Sequence, residues 1–249
     1  MTMYDDTKLL EGISGLGLST GERELGLLHA FYEEMVETNR VMNLTAITEY
    51  SEVVTKHFLD SLCMVKAGKY SPAVKQLLNG EELSVIDVGT GAGFPGIPLA
   101  IFFPKAHFTL LDSLNKRIRF LDAAAHSLGI TNVTCVHGRA EELSRTPEYR
   151  EKFDIVTSRA VARLAGLSEL CLPFAKVNGA FLPLKAGDSE TELSEAGNAI
   201  RTVGGRLTGT ISYTVPESDL SRTIPVILKA RKTEDKYPRG GGKPLKQPL

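Results

Sequence analysis

One stretch of the chain decides its fold: Asp87-Val88-Gly89-Thr90-Gly91-Ala92-Gly93. It follows the short apolar run Leu83-Ser84-Val85-Ile86 and precedes an apolar segment with helical spacing. Alternating glycines let a strand turn sharply into a helix, and they let backbone N–H groups approach a ligand because no Cβ intervenes. The stretch therefore predicts a nucleotide-like cofactor bound where the first strand of a parallel sheet ends.

Two cofactors fit this glycine loop. Residues Gly91 to Gly96 also match the dinucleotide fingerprint GxGxxG, whose third glycine permits close helix–strand packing around a pyrophosphate. Asp87 favours the other cofactor, because it places negative charge where the phosphates of a nicotinamide dinucleotide would lie nearby. S-adenosylmethionine carries a sulfonium and an ammonium group and no phosphate. The loop therefore predicts S-adenosylmethionine in preference to NAD, with a plain glycine-rich turn as the third interpretation.

The composition bounds the class of protein. The chain has 249 residues, of which 42% are hydrophobic and 24% charged, enough for one large α/β domain with an extension. The three cysteines, Cys63, Cys135 and Cys171, form no CxxC pattern and predict neither a disulfide framework nor a metal site. No apolar run approaches the roughly 18 residues that span a bilayer, and the N-terminus lacks a signal-peptide pattern. We expect a cytoplasmic protein without a membrane partner.

Charge is unevenly distributed along the chain, although the formal net charge is −1. Residues 1–60 contain eleven acidic and four basic side chains, whereas residues 229–249 contain seven basic and two acidic ones. A basic end attracts phosphates by counterion release even when the whole chain is nearly neutral. The basic tail, residues 229–249, is therefore interpreted either as a nucleic-acid contact or as a solvated end.

The chain divides into a helical N-terminal extension, residues 1–67, and an α/β domain, residues 68–249. In the extension, Ser19 and Glu22 suggest a capping box before a helix whose apolar residues run from Leu25 to Val36, and a second helix is predicted from Glu52 to Val65. In the domain, short apolar runs alternate with helical segments, which is typical of a doubly wound sheet. The seven predicted strands are Leu83–Val88, His107–Leu111, Val133–His137, Phe153–Thr157, Ala180–Leu184 and an antiparallel pair near Arg206–Val215 and Thr223–Lys229.

Residues just after the strands are the candidates for ligand contact, because doubly wound sheets bind ligands at the carboxyl ends of their strands. Asp112 ends the second strand 19 residues after Gly93, close to the roughly 20-residue spacing of an acid that binds ribose hydroxyls. Its alternative role is an acidic cap for the next helix. Ala140 and Glu141 follow the third strand and are placed to contact adenine, although Glu141 also suits the first turn of a helix.

Arg159 ends the fourth strand, where a transferable methyl group and its acceptor should meet. The chain has no Pro-Cys motif for attack on a pyrimidine carbon and no Asp/Asn-Pro-Pro-Tyr motif for an exocyclic amine. Guanine N7 is a ring lone pair with no proton to remove, so it needs orientation and no general base. Arg159 is therefore the candidate catalytic residue, as a positioning group that hydrogen-bonds or stacks on a base or binds a phosphate. The alternative is an ion pair with Glu141 or Asp112.

Three further polar residues have two interpretations each. His57, close to Asp60 on a predicted helix, is interpreted as a buried core or interdomain group and not as a base. Asn43 lies in the connection between the two N-terminal helices, as a cap or as a group that closes over the cofactor site. Lys185, after the fifth strand, contacts phosphate or extends to solvent.

These motifs resemble the bacterial glucose-inhibited division protein B family. The resemblance is densest from Asp87 to Leu99, where Pro95-Gly96-Ile97-Pro98 is far more specific than the glycine loop alone. Further matching positions are Asn43-Leu44-Thr45, His57–Ser61, Leu111-Asp112-Ser113, Lys116-Arg117, Phe120-Leu121, Phe153-Asp154, Ser158-Arg159-Ala160 and Lys236–Arg239. The sequence departs from the family at Lys185-Ala186-Gly187, where many members have Lys-Gly, and in its longer acidic N-terminal segment.

The resemblance implies a Rossmann-like class I S-adenosylmethionine-dependent methyltransferase fold and methylation of guanine N7 in a loop of 16S ribosomal RNA. It places Gly89, Phe94, Ala140 and Glu141 at the cofactor and Arg159 between cofactor and RNA. The complete expected cofactor set is Asp87, Gly89, Gly91, Gly93, Phe94, Asp112, Ser113, Ala140, Glu141 and Arg159. The expected RNA contacts are Asn43, Lys185, Lys236 and Arg239. We expect a monomer that acts on 16S ribosomal RNA or the small ribosomal subunit; the alternatives are an NAD-dependent oxidoreductase and a non-catalytic ribosome-assembly factor.

Overall fold

A single seven-stranded sheet organises the structure, a computed structural model that describes residues 4–187 and 190–249. The strand order is β3-β2-β1-β4-β5-β7-β6. Strands β1 to β5 pair in parallel, and β7 pairs antiparallel with both β5 and β6. The strands are β1 (Ser84–Val88), β2 (His107–Asp112), β3 (Val133–His137), β4 (Phe153–Arg159), β5 (Ala175–Ala186), β6 (Gly205–Thr214) and β7 (Ser221–Lys229). The predicted doubly wound sheet with a final antiparallel pair is confirmed.

Helices cover the sheet and form most of the N-terminal region. The N-terminal helices are α1 (Thr7–Gly15), α2 (Glu22–Met42), α3 (Tyr50–Val53), a π-helical turn (Val54–Leu59), α4 (Asp60–Leu62), a 3-10 turn (Cys63–Lys69) and α5 (Pro72–Leu78). Those that follow are α6 (Gly96–Phe102), α7 (Asn115–Ser127), α8 (Ala140–Leu143), α9 (Leu164–Cys171), a 3-10 turn (Leu172–Phe174), α10 (Glu190–Thr202) and α11 (Lys243–Lys246).

Two local expectations differ from the structure. The N-cap of α2 is Gly21, whose N–H donates to the Glu24 carboxylate at 2.9 Å, so the capping box predicted from Ser19 and Glu22 is wrong. The second predicted helix is helical throughout, but it contains the π-helical turn Val54–Leu59, which no hydrophobic pattern marked. Such turns are frequent at functional sites, and this one contributes His57 to the wall of the cavities described below.

The N-terminal helices share their hydrophobic core with the sheet. Leu28 and Phe31 of α2 are fully buried and belong to one cluster with Phe94 and Phe120. The ring centroid of Phe31 lies 5.7 Å from that of Phe94 and 6.1 Å from that of Phe120. Burying each such ring contributes about 1.5–3 kcal/mol. The extension is therefore packed onto the sheet, and a domain boundary near residue 67 stays a prediction.

The basic tail is folded against the domain. Lys229 is fully buried, and its Nζ donates to the Leu172 carbonyl and the Thr233 hydroxyl, both at 2.6 Å. Burial lowers the pKa of Lys229 to about 8. The Arg239 guanidinium donates to both carboxylate oxygens of the fully buried Glu169. The interpretation of the tail as a solvated end is therefore wrong at these positions, because two of its cations hold the tail to the domain.

Within the described ranges, no helix has the length and apolar character needed to cross a membrane.

Candidate active site

A cavity of about 490 Å³ opens at the carboxyl ends of β1, β2 and β4, and is called the first cavity. A side cavity of about 140 Å³ adjoins it, because Gly89, Asp112 and Ser113 line both. The first cavity is lined by Leu44, Thr45, His57, Gly89, Thr90, Gly91, Ala92, Phe94, Asp112, Ser113, Leu114, Arg117, Arg159, Ala160 and Val161. The side cavity continues past Ala140 and Glu141 to Leu245 of the tail. Most of the predicted cofactor residues therefore lie around one connected space.

The three loop glycines have different surroundings. Gly89, Gly91 and Gly93 have φ angles of 75°, 62° and 98°, in the left-handed region that favours glycine. A Cβ built on Gly91 would meet nothing within 4 Å, whereas one on Gly93 would lie 2.7 Å from Leu121 and 3.1 Å from Phe31. Gly91 is therefore at the open face of the loop, while Gly93 packs against the core behind it.

Asp87 also lies behind the cavity wall. It is fully buried, and its Oδ2 accepts hydrogen bonds from the Thr90 hydroxyl at 2.7 Å and the Gly96 N–H at 3.0 Å. Among the described residues its Oδ1 has no hydrogen-bond partner, and burial raises the pKa of the carboxyl to about 6. Asp87 and Gly93 line neither the first cavity nor the side cavity. Asp87 instead fixes the backbone of the loop from beneath.

Asp112 and Glu141 supply the acids of the cavity wall. Asp112 Oδ2 accepts from the Gly91 N–H at 3.0 Å and from Arg117 at 3.3 Å, while Oδ1 accepts from the Leu114 N–H at 2.8 Å. Asp112 therefore both lines the cavity and bonds the backbone that leads into α7, so its two predicted roles coexist. Glu141 is buried and accepts from Arg139 Nε at 3.0 Å.

Arg159 is held in place by three neighbours. Its Nη1 donates to the Lys56 carbonyl and to Asp60 Oδ2, both at 2.9 Å, and its Nη2 lies 3.2 Å from His57 Nδ1. Its guanidinium carbon lies 5.3 Å from the centroid of the Phe94 ring. The alternative ion pair with Glu141 or Asp112 is wrong, because those carboxylates pair with other arginines and Arg159 pairs with Asp60.

His57 is a buried, neutral member of the same wall. Its ring stacks on Phe94 with centroids 4.4 Å apart, and its Nε2 lies 3.0 Å from the Thr45 hydroxyl. Burial and then the charge of Arg159 lower the pKa of His57 to about 4. His57 Nδ1 lies 3.0 Å from the Lys56 carbonyl, which only accepts, and 3.2 Å from Arg159 Nη2, which only donates, so these two contacts call for opposite tautomers of the neutral ring. The structure thus agrees with the interpretation of His57 as a buried group.

A second cavity, of about 460 Å³, lies on the other side of this wall. His57, Arg159 and Ala160 line both the first and the second cavity. The remaining lining residues of the second cavity are Ile47, Lys56, Asp60, Leu184, Lys185, Ala186, Glu192 and Arg222. Asp60 connects the two arginines of this set, since its Oδ1 accepts from Arg222 Nε at 3.1 Å.

Sequence reasoning missed several of these residues. Asp60 and Arg222 are 162 positions apart in the chain, and no linear pattern connects them. Glu192 lies on α10, to which the sequence assigned no site, and Leu245 lies on the tail, where the sequence assigned RNA contacts but no contact with the cofactor. The positive φ of Ala160, 56°, turns the chain directly after Arg159 and likewise has no marker in the sequence.

The predicted RNA contacts are widely separated. Lys185 lines the second cavity, whereas Asn43 is an exposed left-handed C-cap of α2 with a φ of 51°. Lys236 is exposed and pairs with Glu234 at 2.8 Å. Arg239 is engaged with Glu169, as described above. Of the four, only Lys185 lines either of the two large cavities that meet at Arg159.

No group of three or more His, Cys, Asp or Glu side chains is arranged to hold a metal ion, within residues 4–187 and 190–249.

Comparison with known proteins gives one consistent family. The family model described as rRNA small subunit methyltransferase G matches residues 24–217. A protein of that name from Lachnoclostridium phytofermentans is 47% identical over 247 residues, covering 99% of this chain and 98% of the relative. Another from Limosilactobacillus reuteri is 46% identical over 240 residues, covering 96% and 97%. Among solved structures, a SAM dependent methyltransferase from Aquifex aeolicus is 17% identical, covers 66% of this chain and 93% of its own, and has a TM-score of 0.47.

Proposed function

The chain belongs to the rRNA small subunit methyltransferase G family, and from that premise we propose that it transfers a methyl group from S-adenosylmethionine to N7 of a guanine in 16S ribosomal RNA. The observation that supports this proposal most directly is the pair of cavities that meet at Arg159 and His57. The first cavity has the features of a cofactor site. The second cavity shares the wall formed by His57, Arg159 and Ala160, so an acceptor bound there would lie next to the cofactor. The proposal includes action as a monomer in the cytoplasm, on the RNA or on the small ribosomal subunit.

The first cavity fits S-adenosylmethionine in size and in the character of its wall. Its volume of about 490 Å³ falls within the roughly 300–1,000 Å³ of small-molecule sites. Asp112 is placed for the ribose hydroxyls, and Ala140 and Glu141 of the side cavity for the adenine. The open space beyond Gly91 lets a ligand approach the loop backbone.

The loop is less suited to a dinucleotide. A pyrophosphate needs free backbone N–H groups, but the Gly91 N–H donates to Asp112 and the Gly96 N–H donates to Asp87. Both acceptors are carboxylates, so they also place negative charge close to where a phosphate would lie. This argues against the NAD-dependent oxidoreductase and favours a cofactor without phosphate groups.

The wall between the cavities would position the reaction. When bound, S-adenosylmethionine supplies a methyl group on a positively charged sulfur, and transfer to a ring nitrogen leaves a neutral thioether and a positively charged base. Arg159 is fixed by Lys56, Asp60 and His57, so the wall between the two cavities keeps one position. A fixed wall would hold the methyl carbon and the acceptor nitrogen at the distance and angle that attack requires. The buried carboxylate of Asp60 lies on the acceptor side, where it pairs with both Arg159 and Arg222 and so keeps the two arginines in place.

The weak basicity of His57 is compatible with guanine N7 as the methyl acceptor. His57 is the titratable ring in the wall, yet its pKa of about 4 makes it a weak base, and its Nε2 lies against the Thr45 hydroxyl at 3.0 Å. N7 of guanine carries no proton, so its methylation requires none to be removed. Attack by an exocyclic amine would need such a group.

The test is methyl transfer to the natural substrate. Purified protein is incubated with methyl-labelled S-adenosylmethionine and small ribosomal subunits from cells that lack this enzyme, and N7-methylguanine is mapped by chemical strand scission. Label at one guanine of 16S ribosomal RNA is the expected result. Label in protein or small molecules would overturn the substrate, and NAD binding comparable to that of S-adenosylhomocysteine would overturn the cofactor. Cofactor binding without any label would favour the ribosome-assembly factor.

A further inference from the structure

We propose that the second cavity receives the target guanine and that the Lys185–Glu192 ion pair recognises its Watson–Crick edge. This inference rests on the proposed function and assigns the recognition of the base to two residues. The cavity is large enough for a nucleoside, at about 460 Å³, and shares the wall of His57, Arg159 and Ala160 with the first cavity. A base held there would lie beside the position of the methyl group.

Two carboxylates line the second cavity, and they differ in what they leave available. Asp60 uses both oxygens, since Oδ2 accepts from Arg159 and Oδ1 accepts from Arg222. Glu192 makes two contacts through Oε1, an ion pair with Lys185 Nζ at 2.8 Å and a hydrogen bond that it accepts from the Leu164 N–H. Within the part of the chain that the structure describes, Oε2 of Glu192 is therefore the carboxylate oxygen left to accept from a ligand.

Lys185 complements this acceptor with a donor. Its ammonium group has three N–H donors; it donates to the Ala162 carbonyl at 2.9 Å and pairs with Glu192 Oε1 at 2.8 Å. Counting one donor for each contact, one donor remains for a ligand. The ion pair presents a donor and an acceptor next to each other at the wall of the cavity.

This donor and acceptor match guanine and oppose adenine. Guanine presents the O6 acceptor next to the N1–H donor, whereas adenine presents an amino donor next to the N1 acceptor. With adenine, Lys185 would face an amino group and Glu192 would face a lone pair. Both purines carry an N7 lone pair, and although guanine N7 is the more nucleophilic of the two, contacts of this kind add a rejection of adenine that the chemistry at N7 does not supply.

The ion pair is shielded enough for a mismatch to be costly. The side chains of Lys185 and Glu192 are only 16% and 19% exposed. A base that leaves a partly buried charge unpaired is rejected more strongly than one that merely fits poorly. Methylation at N7 also makes the ring positively charged, which strengthens the hydrogen bond from N1–H to a carboxylate. The pair should therefore favour guanine in the ground state and more so during transfer.

The experiment uses three versions of the target nucleotide. The guanine labelled by the wild-type enzyme is first mapped, then replaced in ligated RNA by inosine, which keeps O6 and N1–H, or by 2-aminopurine, which lacks both. For wild type we expect kcat/KM for inosine within about threefold of guanine and a loss of at least about tenfold for 2-aminopurine. This comparison needs no variant. Equal rates for guanine and 2-aminopurine would overturn the inference.

The variant Glu192→Gln gives the second readout. We expect its kcat/KM for guanine to fall at least about tenfold and its preference for guanine over 2-aminopurine to shrink, since Lys185 still donates to O6, with S-adenosylhomocysteine affinity unchanged. If the role of Glu192 were purely structural, the variant would lower kcat/KM for all three substrates by the same factor, and that result would contradict the inference. The matched control is Glu195→Gln on the same helix, because Glu195 is half exposed, at 52%, pairs with Arg163 and lines neither cavity.

The outcomes separate this inference from the proposed function. If wild type places no label on any guanine N7, the proposed function fails and the inference fails with it. If wild type methylates guanine N7 but has the same kcat/KM for 2-aminopurine, which lacks O6 and N1–H, only the inference fails.

Discussion

The first and second cavities share a wall but are built in different ways. The glycines and acids around the first cavity and its side cavity come from three consecutive strand ends between Gly89 and Glu141. The second cavity combines residues from the π-helical turn, β4, β5, α10 and β7, and its ion pairs join residues as far apart as Asp60 and Arg222. A cofactor site of this kind is encoded locally, whereas the acceptor site depends on the tertiary structure.

The largest effect should come from filling the first cavity. In Gly91→Val, a side chain occupies the open space beyond the loop, so we expect S-adenosylhomocysteine affinity to fall by more than about a thousandfold, measured by calorimetry. Gly80→Val is a matched control. Gly80 also has a positive φ, 72°, and open space at its Cβ, and it lines neither cavity.

Both glycine variants should lose about 1–3 kcal/mol of stability from the strained backbone, but only the first should lose the cofactor. Equal cofactor affinity in the two variants would contradict the placement of the cofactor against the loop.

The second-largest effect is expected for a variant in the second cavity, which should lower methyl transfer and leave cofactor affinity nearly unchanged. Asp60→Asn removes the carboxylate between Arg159 and Arg222, and we expect methyl transfer to fall about a hundredfold, with about 3 kcal/mol lost in unfolding free energy. Affinity for S-adenosylhomocysteine should stay within about threefold, because Asp60 does not line the first cavity.

The control for this prediction is Asp154→Asn, which breaks an ion pair with Lys176 at the other end of β4. It should leave both cofactor affinity and transfer rate close to wild type. A large loss of cofactor affinity in Asp60→Asn would show that the two cavities do not act separately.

A smaller effect should appear in the pH dependence of the shared wall. The pKa of His57 falls from 6.5 in the unfolded chain to about 4 in the fold, so protons bind the unfolded state more strongly between these values. His57 should therefore cost stability progressively as pH falls from 6.5 through 4, by about 3 kcal/mol at the lower end.

Denaturant unfolding of wild type and His57→Gln at pH 7, 5.5 and 4 measures this difference. Wild type should lose more stability than the variant on acidification. Asp87, whose pKa is raised to about 6, acts in the opposite direction but is present in both proteins and cancels in the comparison. If the free energy of unfolding fell equally in the two proteins on acidification, His57 would not be held neutral in the fold.

The smallest effect is expected outside both cavities. Lys236→Ala removes an exposed cation that pairs with Glu234 and lies 5.3 Å from the centroid of the Tyr237 ring. If the tail contacts phosphate, RNA affinity should fall about two- to threefold, and the slope of log affinity against log salt should decrease by about one. Lys105→Ala, an exposed lysine before β2 at the amino ends of the strands, is the control and should change neither. An unchanged salt slope in Lys236→Ala would remove Lys236 from the RNA contacts.

The sequence predicted the sheet because strand and helix periods, glycines and strand-terminal acids are all local patterns. It placed Gly91, Asp112 and Glu141 at one edge of the sheet, and the structure brings them around connected cavities. It did not show that Asp87 and Gly93 lie on the core side of the loop and not on the cavity side, because the spacing of residues does not distinguish the two sides.

Other features depend on contacts that only the folded chain makes. The partner of Arg159 is Asp60 and not an acid of the neighbouring strands, because the N-terminal helices pack over the end of β4. The same limit applies to the tail, where charge counting did not separate Lys229, which is buried, from Lys236, which is exposed. Net charge describes attraction to phosphate, and it does not describe burial.

The packing of Gly93 against Phe31 links the glycine loop to a helix that does not reach the cavity. The Gly93 and Phe94 amides both donate to the Thr90 carbonyl, at 2.9 and 3.0 Å, and the turn they close rests on the α2 side chain. Opening of α2 would remove that support, so we expect loop and helix to open as one cooperative unit in hydrogen exchange. Cofactor binding should then slow amide exchange along α2, at residues that the cofactor never touches.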